Sequence, residues 1–238
     1  MRKVLMMLMV MAGCDVAVEP GPAPQPLPAR AQSSGPTLST SAAISAFSAA
    51  SRQVEPVAES LCAQRTSGMN CDFQIRLDRD PKLPPNAYQS LDKQGRPTIT
   101  FTHAMMSSFR NTDEIAFVMS HEAAHHIRGH LQRGARDATV GALVLAGVAA
   151  AAGASTSTIL DAQQLGAVVG SRSYSKNYEL EADELGTIIT ARSGYSPRKG
   201  VEYFYRLPDP GDRFLGSHPP NSDRITVVQR TIQANGLN

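Results

Sequence analysis

His121-Glu122-Ala123-Ala124-His125-His126 sets two histidines four residues apart, with a glutamate directly after the first. Residues four apart lie within about 40° of each other around an α-helix, so the imidazoles of His121 and His125 converge on one ion. Glu122 is the residue type that takes a proton from water activated at such an ion. The pattern predicts a catalytic zinc site carried on a helix, and the rest of the chain reads as what completes, covers or regulates it.

Working outward, Asn111 is placed to cap that helix, with Glu114 three residues later in a capping-box arrangement, and Ile115, Val118 and Met119 form an apolar face ahead of His121. The site needs a third ligand. In the metzincin pattern a third histidine follows six residues after the second, with glycine at a fixed offset. Here position 131 is Leu and Gly129 stands one place late, which excludes that pattern. Continued along the helix, His126 lies about 100° from His125 and His130 about 140°. Both are expected near the metal's surroundings or at the surface, not as ligands. A second long helix is predicted over about residues 161–192, with Tyr178, Ala182, Leu185 and Ile189 as its core stripe and Ser193-Gly194 and Pro197 as its stop. Glu179 and Asp183 lie four apart on that helix. A His-His-Glu site draws its carboxylate from a separate downstream helix, so Glu179 is the candidate third ligand and Asp183 the candidate acceptor for a ligand imidazole. Glu181 and Glu184 read as a solvated acidic face.

Before the motif, Ile44, Phe47, Val54, Val57, Ala58 and Leu61 recur at helical spacing and predict an N-terminal helix over about 41–62, bent at Pro56. Residues 73–77 and 98–102 alternate apolar and polar and predict two half-buried strands of a small antiparallel sheet, with Thr98 to Thr102 as an edge to which an extended substrate could add. Residues 139–154 are rich in Ala and Gly and nearly uncharged, but fall short of the about 20 apolar residues of a full membrane span. A buried helix, or a flap packed near the cleft, is the expectation there.

The N-terminus has a different character. Arg2 and Lys3, the apolar run Val4 to Ala12 and the small Gly13 have the layout of a secretory signal peptide. Met11-Ala12-Gly13-Cys14 resembles the bacterial lipobox, in which the cysteine becomes the lipidated first residue. Six prolines between Pro20 and Pro36 mark residues 14–40 as a tether that lets a lipid-anchored domain clear the membrane. Asp15 resembles the retention signal of inner-membrane lipoproteins. With Cys14 assigned to the lipid, Cys62 and Cys71 remain, an even pair in an exported domain, and a disulfide between them is expected. Net charge is only +2 and the Arg and Lys residues are scattered, so no nucleic-acid partner is expected.

Four blocks then carry a resemblance: Asn111-Thr-Asp-Glu-Ile-Ala-Phe-Val-Met-Ser-His-Glu-Ala-Ala-His125, Glu179-Leu-Glu-Ala-Asp183, Gly194-Tyr-Ser-Pro197 and Ser217-His-Pro-Pro-Asn-Ser-Asp-Arg-Ile225. In this order, over about residues 55–232, they resemble the gluzincin zinc metallopeptidases that include HtpX, the CAAX prenyl endopeptidase and BepA. The chain lacks the clear membrane helices of the first two and stops at Asn238 without BepA's helical repeats. It is most similar to the short, lipid-anchored periplasmic (LoiP-like) members. The resemblance implies one Zn2+ per chain held by His121, His125 and Glu179 (chosen over Glu181), Glu122 as general base and Asp183 as partner of a ligand histidine. It also implies that His218 can take the zinc's fourth position and silence the enzyme; stabilisation of the oxyanion, by His218 or Arg224, is the other role open to it, and read alone His218 is an ordinary loop residue. Arg224 matches the arginine of the last block, where a salt bridge at a helix start and a role in the cleft are both open.

The predicted fold is α+β and mainly helical: a zincin-like metallopeptidase domain over 41–238, with two long active-site helices and a small antiparallel sheet, behind a signal peptide (1–13) and the tether. The expected function is a zinc endopeptidase of the bacterial cell envelope, facing the periplasm and held to the membrane through Cys14, with unfolded or misassembled envelope proteins as substrates. The alternative is a chaperone-like or assembly lipoprotein whose zinc is structural or proteolytically silent.

Overall fold

The computed structural model describes residues 35–173, 175–211 and 218–237. The signal peptide, Cys14, Asp15 and nearly all of the tether lie outside the described residues.

The helix bearing the histidines, α2 (Thr112–Ile127), is the axis of the core. Ile115, Ala116, Phe117, Val118 and Met119 are buried in succession, all the way round the helix, so it must be covered on every side. One cover is α1 (Thr40–Arg65), which presents Ala43, Phe47, Ala50, Val54, Ala58 and Leu61 at three- and four-residue spacing and runs on through the exposed Pro56. Ile44 and Val57, expected as members of that stripe, flank it half-buried. At the start of α2, Asn111 Oδ1 accepts the Glu114 N–H at 2.9 Å as expected of a cap. Glu114 reaches back one residue further than a capping box requires, accepting the Arg110 N–H at 2.8 Å, because its carboxylate is fully buried and paired with Arg206.

A second cover is a three-stranded sheet, β1 (Gln74–Asp78), β2 (Ala87–Leu91) and β3 (Pro97–Thr102), in the order β1-β3-β2. It is mixed, not wholly antiparallel: β2 pairs antiparallel to β3, and β1 pairs parallel to it. The strand Ala87–Leu91, which sequence periodicity does not reveal, reverses the chain once more between the two expected strands and so makes them parallel. Its position also corrects the expected edge. Every residue of β3 is buried, as a central strand requires, and β2 is the end of the sheet on the motif side. Cys62 and Cys71 are joined by a disulfide that closes the loop between α1 and β1.

After α2 the chain forms a hairpin of α3 (His130–Ala151) and α4 (Thr156–Ser173). A side chain at Gly141 would run into the Gly166 carbonyl, and one at Gly170 into that of Asp137, so the two helices meet backbone to backbone. The expectation of a buried helix over 139–154 is not met: Val140, Leu143, Val144 and Val148 on α3, and Leu160, Leu165 and Val168 on α4, are exposed. Once the glycines have brought the backbones together, the larger side chains have no inward space and face outward. α3 is long and apolar enough to cross a membrane by length and composition.

The second long helix is described as α4 and α5 (Ser175–Arg192), on either side of residue 174. α5 packs along α2 through Ala182, Leu185, Gly186 and Ile189. The short α6 (Pro197–Gly200), a 3-10 segment Val201–Arg206 and α7 (Asn221–Ala234) close the core.

Candidate active site

α2 and α5 form two walls of a cleft of about 470 Å³, and β2 with the segment before it forms a third. Into it point His121 and His125 from α2 and Glu179 from α5. The Nε2 atoms of the two histidines are 3.0 Å apart, His121 Nε2 is 3.5 Å from Glu179 Oε2, and His125 Nε2 is 3.4 Å from Glu179 Oε1. Ligand atoms about 2.1 Å from a shared tetrahedral ion stand about 3.4 Å from one another. The three side chains therefore fit a metal ion without rearrangement of their helices.

That convergence depends on Gly186, two turns after Glu179. A Cβ there would lie 3.0 Å from both the Cα and the N of His121, so only glycine lets α5 approach α2 this closely.

Each ligand is held from behind. His121 Nδ1 stands 2.9 Å from Asp183 Oδ1, so its N–H is directed at a fully buried carboxylate and Nε2 is left free to ligate. Arg224, from the first turn of α7, grips the same carboxylate with Nε at 2.8 Å and Nη2 at 2.7 Å. Its guanidinium lies 3.9 Å from the centre of the Phe204 ring and 3.6 Å from Glu179 Oε2. The two readings of Arg224 merge, since it is at a helix start and forms its ion pair inside the cleft. His218 lines the cleft with Nε2 3.8 Å from Glu179 Oε2, its side chain about half exposed.

His130 lies in the metal's surroundings, as one of the two expectations had it, but not in the direction the helical wheel gives. α2 stops at Ile127, and Gly129, with φ +66°, turns the chain before α3 begins, so His130 is not 140° round a continuing helix. It swings back against His125, Nδ1 to Nδ1 at 2.9 Å, while its Nε2 meets Glu181 Oε2 at 3.2 Å. Glu181 is correspondingly no plain solvated residue: Arg133 holds it through two bonds, 2.6 and 3.1 Å. His126 is also buried and not at the surface, its Nε2–H donating to the Asn70 carbonyl at 2.7 Å beside the disulfide loop. Glu184 pairs with Arg128 at the exposed end of the face.

The electrostatics follow from burial and pairing. Burial raises the pKa of Glu122 above the usual carboxylate range, against the lowering influence of His121 and His125. Burial acts the same way on Glu179, but hydrogen bonds from His121 and His125 outweigh it and hold the group well below that range. Asp183 is likewise lowered, with burial overcome by the charge of Arg224 and the bond from His121. Burial and Arg224 act to lower His121, yet Asp183 and Glu179 carry it up to about 9. For His130, burial and then His125 prevail over Glu181 and bring it down to about 4. Glu181 falls to about 2, chiefly through its bonds to Arg133.

A comparison with curated proteins returns no match. Residues 47–232 match the model of peptidase family M48, a span that takes in every residue of the cleft. The chain belongs to peptidase family M48 and is a metallopeptidase.

Proposed function

We propose that this chain is a zinc-dependent endopeptidase of the bacterial cell envelope that cleaves misfolded or unassembled proteins. The observation that carries the reading is the convergence of His121, His125 and Glu179 beside Glu122, in a cleft bordered by the end strand of the sheet. Were a zinc ion bound, His121, His125 and Glu179 would hold it, and it would supply Lewis acidity for the scissile carbonyl and for water near neutral pH. Glu122, lining the cleft beside His121 and His125, takes a proton from water there and returns it to the leaving nitrogen. Arg224 and Asp183 hold His121 in the tautomer that ligates. The substrate backbone adds to β2, the corrected counterpart of the expected edge. Strand addition reads main-chain groups, which an unfolded segment offers along its whole length, and so favours non-native proteins over any one sequence.

His218, which lines the cleft 3.8 Å from Glu179, would compete with water and substrate for a metal held there and so silence the resting enzyme. The reading also places a lipid on Cys14 and the domain in the periplasm, with Asp15 favouring the inner membrane. A diacylated or triacylated Cys14 at the mature N-terminus is expected in mass spectra, and a terminus elsewhere refutes the anchor.

The test is cleavage of one disulfide-bonded protein in native form and after reduction and carboxymethylation. The unfolded form is expected to be cut at least about tenfold faster, a chelator should abolish the activity, and about one equivalent of zinc per chain should restore it. Equal rates on the two forms would sink the quality-control reading. In the same assay His218→Ala should raise the rate several-fold. A lower rate would transfer His218 to oxyanion stabilisation, and an unchanged one would remove it from the mechanism.

A further inference from the structure

The two histidines of the motif are backed by different chemistry. His121 rests on the carboxylate of Asp183, whereas His125 rests on another imidazole, that of His130. We propose that His130 is a positioning residue for the metal site: through its Nδ1 lone pair it fixes the tautomer and the ring orientation of His125, with Glu181 fixing His130 in turn. The inference rests on the ligand set given under the proposed function and concerns how one of those ligands is held.

Proton counting carries the argument. One proton fits between two imidazole Nδ1 atoms 2.9 Å apart. On its other side His130 Nε2 faces Glu181 Oε2 at 3.2 Å, and an ionised carboxylate only accepts, so the Nε2 proton of His130 is committed there. A neutral His130 then presents Nδ1 as an acceptor, and the shared proton belongs to His125 Nδ1. His125 Nε2 is left with its lone pair directed at the position it shares with His121 Nε2 and Glu179 Oε1. Were the proton of His130 on Nδ1 instead, His125 would be driven to the tautomer that cannot ligate.

The surroundings hold His130 in this one pose. Its ring is buried and stacks on Tyr178, with centroids 4.8 Å apart and planes inclined by 15°. The Arg133 guanidinium lies over the same tyrosine at 4.2 Å while it grips Glu181, and the Tyr178 hydroxyl donates to Asp137. Gly129 sets the direction from which the ring enters. Tyr178 precedes Glu179 on α5, so the platform under His130 and the third ligand move together.

Because a buried stacked ring could serve packing alone, the test separates the acceptor from the ring. Asn places an amide oxygen close to where the His Nδ1 lies but cannot stack, whereas Phe stacks but cannot accept. Zinc affinity of the full chain, measured by competition with a chromophoric chelator, should fall by about 10- to 100-fold in His130→Ala and His130→Phe. It should stay within about threefold in His130→Asn. Cobalt(II) in place of zinc should give a visible spectrum that is altered in the Ala and Phe variants and native-like in the Asn variant. Unchanged zinc affinity in His130→Ala, or rescue by Phe and not by Asn, overturns the inference. No substrate enters either readout, so failure of the unaltered chain to bind zinc would fall on the proposed function, and equal affinity in His130→Ala on this inference alone.

Discussion

Replacing Glu122 by Gln is expected to lower peptide-bond hydrolysis by about a thousandfold, within the range general acid–base groups contribute, and to leave zinc content unchanged. Glu122 lines the cleft beside His121 and His125 but does not belong to the group of side chains whose atoms converge on the metal position. Gln keeps the shape and one hydrogen-bonding oxygen but cannot take a proton at neutral pH. The loss should therefore appear in kcat, with KM for an unfolded substrate little changed. Zinc content by elemental analysis and cleavage by gel assay give the two halves of the result. Cleavage within about tenfold of the parent would remove Glu122 from the reaction, and loss of zinc would make it a ligand.

A large effect on stability is expected at Arg206, which belongs to neither the metal-binding group nor the lining of the cleft. Glu114 is fully buried, and Arg206 meets both its oxygens, at 2.8 and 2.7 Å, while donating also to the Glu202 and Ser108 carbonyls. Arg206→Met leaves a buried carboxylate without its counter-charge, which costs about 3–5 kcal/mol. For a domain of this size the melting temperature should fall by roughly 10 °C. Glu114→Gln added to Arg206→Met removes the stranded charge and should recover at least half of the loss. A single variant that melts within about 2 °C of the parent would contradict the assignment. The pair also joins the start of α2 to the 3-10 segment Val201–Arg206, so the double-variant cycle reads the strength of that link.

What the sequence made legible was what local spacing encodes. The HExxH helix and most of the α1 stripe follow from 3.6-residue periodicity, and the mostly helical α+β architecture with them, whereas Glu179 and Asp183 were picked out by the needs of a His-His-Glu site and by the family resemblance. The misreadings share a physical origin: each turned on contacts between elements, which local spacing does not encode. β2 carries little apolar signal because only Gln89 within it is buried, so the sheet was expected to be antiparallel with β3 at its edge. His130 was projected along a helix that Gly129 ends, although a glycine four residues after the second histidine was a visible stop signal. The 139–154 stretch was read on composition as a buried helix or a flap near the cleft, whereas Gly141 within it serves the contact between α3 and α4. Glu181 looked like surface until Arg133, from the far side of that turn, was seen to hold it.

The close contact at Gly186 has a consequence for how the site withstands change. Because α5 meets α2 there main chain against main chain, the width of the metal site is gauged by the thickness of the polypeptide itself and not by any side chain. Drift in the surrounding core, at Leu185 or Ile189 for example, can loosen the domain before it alters that width. Stability and active-site dimensions are thereby decoupled, leaving the core free to vary around a fixed aperture.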